Sequence, residues 1–337
     1  MSNMNDVAKE AGVSRGTVSN YLNNRPIRSD SKASIERAIA KLNYVRNTAA
    51  RDLRASKSTF VVLIIPTVWT PFFAELTYWI QKDLEAQGYK MILCISNSEF
   101  DHEREYVTMA EEQRVAGIIT ISYSDLTQHV NVEMPLVAIE KEKTGLFPLV
   151  TSDNYAGGQL AAEAFRKRDV SQYICLGFDL SAIGAMASRQ MGFTDFCNER
   201  HLSNKVYDLP SSKFGVEKVK KTMDTVLQEI ISDYSDQKIG IFVITDAYAQ
   251  MVLMLLQDMK IDVPNKIQII GFDGGKSHKD ALPELSSIRQ PVELIAQTAT
   301  ANLNQQIHGD VKRHPASRDI LPVTFTEGTT TLKIVSK

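Results

Sequence analysis

The first stretch with side chains suited to recognition chemistry lies near the amino terminus, and those side chains can read DNA bases. Arg15 can donate two hydrogen bonds to a guanine edge, and Asn20 can pair with adenine through its amide. Short hydroxyls and amides on the same stretch suit contacts with phosphate. The sequence therefore predicts a DNA-reading surface made of Ser14, Arg15, Gly16, Thr17, Ser19, Asn20 and Asn23. The alternative is a small solvated helix pair.

Two short helices would position this surface. Gly12 separates them, because glycine adopts the left-handed conformation that ends a helix without steric cost. Ser14 offers its hydroxyl to the free N–H groups of the second helix, and Asn3 with Asp6 can cap the first helix near Met4. The apolar faces of the two helices are Val7, Ala8 and Ala11, and Val18, Tyr21 and Leu22. This pattern is a helix-turn-helix signature whose second helix is the recognition helix.

A third helix closes this small domain, which we place at residues 1–45. Its apolar stripe is Ile35, Ala38, Ile39 and Leu42, and Ser29 or Asp30 would cap it. Residues 46–58 then form a polar segment with helix-forming residues and one exposed apolar side chain, Leu53. We expect this segment to be a linker or hinge that becomes helical only on DNA.

Charge is distributed unevenly along the 337 residues. The whole chain has a net charge of −2, but residues 1–57 hold 11 basic and 5 acidic residues, and the remainder has a net charge of −8. A basic amino-terminal part suits binding to a polyanion, and an acidic remainder would not adhere to nucleic acid. The length is enough for two or three compact units.

Cysteine usage and hydropathy predict a cytoplasmic protein without a membrane partner. Cys94, Cys175 and Cys197 are widely spaced among apolar neighbours, which favours buried thiols over a disulfide framework or a zinc site. No signal peptide precedes the helix pair, and the longest apolar run, residues 60–66, is too short to span a bilayer.

The stretch DVAKEAGVSRGTVSNYLN followed by IERAIAKLNYVRNTAARDLR resembles the lactose-repressor (LacI/GalR) family of bacterial transcriptional regulators. The resemblance implies that the hinge helices of two subunits pair in the minor groove of DNA, with Leu53 as an apolar wedge and Ala50 as the small residue next to it. It also implies that Asn47, the hinge asparagine, contacts DNA. Two positions depart from the family: Arg46 replaces the usual proline before Asn47, and Arg28 stands where the family often has a serine cap.

From residue 60 onward, short runs rich in Val and Ile alternate with amphipathic stretches, a βαβ pattern. Continuous apolar strands indicate parallel sheets covered on both faces. The fold class is therefore an all-α helix-turn-helix head with an α/β body of two doubly wound, parallel-sheet lobes, similar to periplasmic binding proteins. We place the effector-binding and dimerisation body at residues 59–337, with the first lobe near 59–157 and 290–318 and the second near 158–289 and 319–332.

Ligands of such folds bind beyond the carboxyl ends of the strands, so the cleft between the lobes is the expected site. The family resemblance and the strand ends together suggest effector contacts at Phe72, Phe73, Glu140, Arg189, Thr245, Asp246 and Asp273. For the phenylalanines, the alternative is that Phe73 packs in the core and only Phe72 faces a ligand. The alternative for Glu140 is an exposed strand end, and the alternative for Arg189 is a surface arginine. For Asp246 a helix cap is favoured, and for Asp273 a ligand contact. Asp153, Gly157 and Gly158 would start a helix where the chain crosses between lobes.

No enzyme is predicted, because phosphate-binding loops, a nucleophile elbow and metal-ligand spacing of the six histidines are lacking. We expect no cofactor and no metal. The sequence predicts a regulator, most simply a repressor, that binds operator DNA as a homodimer and responds to a small polar effector, a sugar or sugar phosphate in preference to a nucleobase. The alternatives are a sugar-binding protein of the periplasmic type and a regulator answering to a protein corepressor. The last residues show no heptads, so a dimer rather than a tetramer is expected.

Overall fold

The computed structural model describes residues 2–45, 58–121, 129–131, 133–140, 145–178, 184–210, 215–278, 280–309 and 317–334. The chain divides into two compact units, Met1–Ser58 and Thr59–Lys337, called here the head and the body. The hinge interpretation, with Asn47, Ala50 and Leu53 as its DNA contacts, falls on residues 46–57, which lie outside the described residues.

The head contains three helices: α1 (Met4–Ala11), α2 (Arg15–Leu22) and α3 (Ser29–Lys41). Both predicted caps are confirmed. The side chain of Asn3 accepts from the backbone of Asn5 and Asp6 while Asp6 reaches back to the backbone N–H of Asn3, and Ser14 accepts from the N–H of Thr17. Gly12 ends α1 in the left-handed conformation at φ 65° and ψ 28°. The buried centre of the head is Val7, Ala8, Val18, Ile35 and Ala38.

The predicted cap of α3 is wrong. Arg28, not Ser29 or Asp30, is the residue before the helix, and its side chain makes no capping hydrogen bond. Ser29 is already helical, because the extended backbone of Arg28 (φ −64°, ψ 144°) lets the helix begin one residue earlier. Asp30 lies in the first turn instead, where its negative charge favours the positive end of the helix dipole.

The first lobe of the body is a six-stranded parallel sheet in the order β11-β5-β4-β3-β1-β2. Helices α4, α5 and α10 cover it. Its elements are β1 (Phe60–Ile65), α4 (Pro71–Ala86), β2 (Lys90–Ile95), α5 (Phe100–Glu112), β3 (Gly117–Thr120), β4 (Leu136–Ile139), β5 (Leu149–Ser152), α10 (Val292–His308) and β11 (Arg318–Leu321).

The second lobe is also a six-stranded sheet, in the order β12-β10-β9-β8-β6-β7. Its elements are α6 (Asn154–Arg166), β6 (Gln172–Phe178), α7 (Ala185–Glu199), β7 (Asn204–Leu209), α8 (Val216–Asp233), β8 (Ile239–Val243), α9 (Asp246–Asp258), β9 (Ile267–Asp273), β10 (Ser287–Arg289) and β12 (Thr324–Thr326). The pairing of β10 with β12 is antiparallel, which the prediction of purely parallel sheets did not include.

Both sheets are buried on both faces, as continuous apolar strands require. In β1, Val61 and Leu63 pack with α4 and α10, whereas Val62 and Ile64 belong to the core on the other face. The second sheet is likewise sandwiched, with α8 and α9 on one face and α6 and α7 on the other. The body therefore consists of two three-layer α/β lobes.

The chain crosses between the lobes three times. It passes from β5 to α6 near Asp153, from β10 to α10 near Pro291, and from β11 to β12 between Leu321 and Thr324. Asp153 caps α6 by accepting from the N–H of Ala156, so the prediction of a helix start at this crossover is confirmed. The lobe limits shift accordingly: α6 belongs wholly to the second lobe, and β11 keeps the chain in the first lobe through residue 321 rather than 318.

The three cysteines are buried and free, in agreement with the interpretation of their spacing. Burial raises the pKa of each thiol, that of Cys197 to about 12. Within the described ranges, no helix is both long enough and apolar enough to cross a bilayer.

Candidate functional site

The head presents the predicted DNA readers on one helix. Arg15 and Gly16 are exposed in the first turn of α2, and Ser19 and Asn20 are half-buried further along it. Val18, which lies between them in sequence, is fully buried in the head core and fixes the orientation of the helix. The helix therefore turns its apolar side inward and leaves its polar side accessible.

Three of the predicted readers also hold the helix itself. Ser14 Oγ lies 2.9 Å from Thr17 Oγ1 and accepts from the Thr17 backbone N–H at 3.1 Å. Asn23 donates through Nδ2 to the carbonyl oxygen of Ser19 at 2.8 Å. These side chains shape both ends of α2, whereas no such helix-capping bond engages the side chain of Arg15.

In the body, the carboxyl ends of strands from the two lobes face each other. Strand β1 leads into α4 at Pro71 and Phe72, and β9 leads into Gly274 and Gly275. A Cβ added to Gly275 would lie 2.4 Å from the backbone nitrogen of Phe72. The two lobes thus touch at the edge where ligands of doubly wound folds bind.

Arg189 on α7 is the most connected predicted site residue and is only 4 % exposed, so the surface alternative is wrong. Its Nε donates to Asn154 Oδ1 at 2.8 Å. Its Nη1 donates to the carbonyl oxygen of Ile244 at 2.9 Å and to Asp273 Oδ1 at 3.2 Å. The guanidinium carbon lies 3.7 Å from the centre of the Phe272 ring, which adds a cation–π contact.

Glu140 and Asn154 extend these contacts into the first lobe. Glu140 follows β4 with a positive φ of 62°, and its Oε1 accepts from the backbone N–H of Ser152 at 2.7 Å. Its Oε2 accepts from Asn154 Nδ2 at 2.9 Å. The strand end is therefore tied to the first crossover rather than free in solvent.

Gln290 completes a closed ring of polar side chains at the crossovers. Its Nε2 donates to Asp273 Oδ1 at 2.7 Å, and its Oε1 accepts from Ser152 Oγ at 2.7 Å. We call this set the crossover network; its members are Glu140, Ser152, Asn154, Arg189, Asp273 and Gln290. Because it joins the crossovers at β5–α6 and β10–α10, the network spans the connection between the lobes.

Asp246 lies beside the crossover network but does not cap its helix, which corrects the favoured interpretation. Thr245 precedes α9 without a side-chain cap. The carboxylate of Asp246 instead accepts from the backbone N–H of Gly274 at 2.7 Å and from Ser287 Oγ at 2.6 Å. It therefore fastens the turn after β9 to strand β10.

The two aspartates are held in an environment that disfavours their charge. Burial is the main cause that raises the pKa of Asp246, and the nearby charge of Asp273 adds to it. Burial also raises the pKa of Asp273, although the guanidinium of Arg189 opposes this. Buried carboxylates with raised pKa values at a cleft are typical of functional sites, though structural ion pairs also produce them.

The network leaves a few polar atoms without a protein partner. Among the described residues, both hydrogen bonds to the carboxylate of Asp273 use Oδ1, and none of those from Arg189 uses Nη2. The side chain of Asp273 keeps 19 % of its surface exposed. Thr245 Oγ1 is buried and also lacks a partner. Such atoms require a partner of another kind, either water or a ligand.

The aromatic wall differs from the prediction. Phe72 is only 5 % exposed and belongs to the core of the first lobe. The alternative in which Phe73 packs in the core and only Phe72 faces a ligand is therefore wrong. Phe73 is half-buried, with its ring 5.2 Å from that of Phe72 in an edge-to-face arrangement. The helical register of α4 explains the reversal, because Phe72, Leu76 and Ile80 share its buried stripe.

Several site residues were missed by sequence reasoning. Ser152, Asn154 and Gln290 are polar residues at the lobe crossovers, and no local pattern distinguishes them from loop residues. Their only available signal was position, since each adjoins a segment that must pass between the lobes. No group of His, Cys, Asp or Glu that could hold a metal ion occurs within the part of the chain that the structure describes.

Comparison with known proteins agrees with both parts of this architecture. Residues 3–47 match the model for bacterial regulatory proteins of the lacI family, and residues 162–331 match a periplasmic binding protein-like domain. The ribose operon repressor of Bacillus subtilis (strain 168) is 30% identical over 337 residues, covering 99% of each chain. The sucrose operon repressor of Streptococcus mutans is 29% identical over 331 residues, covering 97% of this chain and 99% of its own.

Among solved structures, the Lac repressor dimer bound to operator and the anti-inducer ONPF has the same fold. It superposes with a TM-score of 0.78 at 20% identity, covering 98% of this chain and 99% of that chain. With the head, the two lobes and these relatives in agreement over almost the whole length, the chain belongs to the lactose-repressor (LacI/GalR) family of bacterial transcriptional regulators.

Proposed function

We propose that the protein is a cytoplasmic repressor that binds a two-part operator as a homodimer and changes its operator affinity when a neutral sugar binds between the lobes. The observation that carries the ligand part is the crossover network, which among the described residues leaves polar atoms without a protein partner at the meeting edge of the two lobes. We propose that the protein is not an enzyme, because the members of the crossover network bind one another and none of them is arranged as a nucleophile beside a base.

The operator part of the proposal follows from the polar face of α2. Arg15 is exposed at the amino end of the helix, where recognition helices contact base edges, and Asn20 lies one and a half turns further along. Gly16 between them has no side chain to add discrimination. A dimer related by a twofold axis would place two such helices on two half-sites.

The chemistry of the cleft favours a neutral, hydroxyl-rich ligand. Oδ2 of Asp273 can accept from a hydroxyl, and Nη2 of Arg189 can donate to one. We propose further that the half-buried ring of Phe73, next to Phe72 at the contact between the lobes, supplies an apolar surface for one face of a sugar. Ribose and sucrose are the first candidates, since related repressors carry those names.

A sugar phosphate fits less well. The carboxyl groups of Glu140 and Asp273 outnumber the one guanidinium that the network contains, and that guanidinium is already paired with Asp273. A phosphate would have to enter beside these acidic groups, which repel it at short range. Of the two expected ligand classes, the acidic groups of the cleft therefore favour the neutral sugar over the sugar phosphate.

Binding between the lobes would act on the operator only through a difference in affinity for two lobe arrangements. The crossover network lies where the chain passes between the lobes. A change in the arrangement of the lobes must bend the chain at these positions. A ligand that inserts between Arg189 and Asp273 changes the hydrogen bonds at that position. Induction and corepression differ only in which arrangement the ligand favours.

The test is a thermal-shift screen of the full chain against sugars, sugar phosphates and nucleobases, because a ligand that binds the folded state stabilises it by RT ln(1 + [L]/Kd). We expect a neutral sugar to give the largest shift, and Asp273→Asn to lose it. Arg200→Ala, which changes an exposed arginine just after the end of α7, should keep it. A best hit that stabilises Asp273→Asn as well as the unmodified chain would refute the site, and a sugar phosphate as best hit would refute the ligand class.

A further inference from the structure

An ion pair joins the two lobes outside the crossover network. Glu75 lies on α4 of the first lobe, and Arg289 ends β10 of the second. Arg289 donates from Nη1 to Glu75 Oε2 at 2.8 Å and from Nη2 to Glu75 Oε1 at 2.6 Å. Two parallel bonds of this kind fix both the distance and the angle between the groups.

The same arginine also holds the turn that follows β9. Its Nη1 donates to the carbonyl oxygen of Gly274 at 2.6 Å. Gly274 has a positive φ of 61°, and its N–H is held by Asp246. The ion pair therefore reaches the residue next to Asp273, whose own φ is 114°.

The backbone around the ion pair is in close interlobe contact. The N–H of Lys276 lies 3.4 Å from Glu75 Oε2, and Gly275 packs against the backbone of Pro71 and Phe72. No side chain fits at Gly275 without moving that backbone, since a Cβ would lie 2.4 Å from the Phe72 nitrogen. The two lobes are therefore in direct contact at this edge.

The Glu75–Arg289 ion pair is largely shielded from solvent. The side chains of Arg289 and Glu75 are 19% and 16% exposed. Burial alone would raise the pKa of Glu75, but the hydrogen bonds and charge of Arg289 outweigh burial and lower it. A partly desolvated, two-bond pair is stronger than an exposed ion pair, which contributes little.

We propose that Glu75 and Arg289 form an interlobe latch that holds the lobes closed and positions the Gly274 turn beside Asp273. Both residues are positioning residues: Arg289 acts on the ligand site through the carbonyl of Gly274, and Glu75 acts through Arg289. The consequence for regulation rests on the proposed function, because closure matters to an operator only if the protein binds one. The closure itself is independent of that function and can be measured alone.

The experiment measures the distance between the lobes of the full chain by pulsed electron spin resonance. Glu85→Cys on α4 and Glu217→Cys on α8, both exposed, carry one spin label in each lobe. The native cysteines are buried with raised pKa values, so the labels attach selectively to the new thiols. An excess of unlabelled chain dilutes any distances between subunits.

The variants that break the latch are Glu75→Gln and Arg289→Gln, and the matched control is Glu327→Gln. Glu327 pairs with Arg168 at 2.8 Å, but both residues lie on the second-lobe side of the crossovers. The combined exchange Glu75→Arg with Arg289→Glu reverses the two charges while keeping one of each sign. Circular dichroism of each variant shows whether it is folded.

We expect each latch variant to shift the mean interlobe distance to a larger value, the control to leave it unchanged, and the charge exchange to recover part of the shift. Latch variants with the same distance distribution as the parent chain would overturn the proposal, as would a control that shifts equally. If one single variant does not fold, the charge exchange is compared with the other: a mean distance closer to the parental value supports the latch, and a distance as large as that of the folded single variant overturns it. Loss of operator binding would not affect this measurement.

Discussion

Arg189→Ala tests whether the crossover network holds the body together even without a ligand. The substitution leaves Asn154 Oδ1 and the carbonyl oxygen of Ile244 without their donor, at about 1–3 kcal/mol for each unsatisfied buried group. It also leaves the carboxyl group of Asp273 without its cation. Removing one partner of a buried ion pair costs about 3–5 kcal/mol.

These losses do not add, because the carboxyl group of Asp273 can relieve its own part by taking up a proton. We therefore expect Arg189→Ala to reduce the free energy of unfolding by about 3–5 kcal/mol. Arg200→Ala, just after the end of the same helix and half-exposed, should stay within about 0.5 kcal/mol. Arg189→Ala combined with Asp273→Asn should recover part of the loss, since the unpaired carboxyl group is then removed.

Urea unfolding followed by tryptophan fluorescence measures this effect in the body alone. The chain has two tryptophans, Trp69 and Trp79, and both belong to the first lobe. Because the network ties the lobes together at two crossovers, we expect the emission to report a single transition of the body. An Arg189→Ala variant within about 1 kcal/mol of the unmodified chain would refute the view that Arg189 holds the lobes at their crossovers.

Three further predictions concern pH, packing and base recognition. Burial raises the pKa of Asp246 to about 8 from its ordinary value of 3.8. The stabilising contribution of its protonated carboxyl group is therefore fully present below pH 3.8 and is lost as the pH rises through 8. Urea unfolding at a series of pH values should show the free energy of unfolding declining over this range, and Asp246→Asn should remove this part of the decline. Gly158→Ala would place a Cβ 2.0 Å from the carbonyl oxygen of Arg189, so it should lower the unfolding free energy by about 1–3 kcal/mol or more, whereas Gly184→Ala, with nothing within 4 Å, should not. Arg15→Ala should cost about 1–3 kcal/mol on the preferred operator in a fluorescence-anisotropy titration and relax selection at one base pair, and an equal loss on random DNA would make Arg15 a phosphate contact.

Local sequence signals were sufficient for the three helices of the head, except for the cap of α3, and for the apolar strands of the body. The Asn3–Asp6 capping box, the left-handed Gly12 and the Ser14 cap all depend on neighbours within a few residues, so they could be predicted one by one. Continuous apolar strands likewise indicated buried parallel sheets. The polar edge strand β7 and the short strands β5, β10 and β12 gave no such signal, because their pairing is set by distant partners.

The candidate site was predictable only at strand ends and where the family resemblance supplied a residue. Asp273 was expected from the end of β9 and Arg189 from the resemblance, and the two lie together, 3.2 Å apart. Asp246 was assigned to a cap because helix starts commonly use an aspartate, but the positive φ of Gly274 turns its N–H toward that carboxylate. Gln290 could not be foreseen, since its partners Ser152 and Asp273 are 138 and 17 residues away in sequence.

In the proposed mechanism the head reads a specific operator and the body sets its affinity. This division of roles is measured by selecting duplexes from a random pool with the full chain, with Arg15→Ala and with residues 59–337 alone. We predict enrichment of a pseudo-palindrome of two half-sites by the full chain, altered selection by the variant, and no enrichment by the body. The sugar found in the thermal-shift screen should change the affinity for that duplex. Enrichment retained by the body alone, or no enriched sequence with the full chain, would contradict the claim.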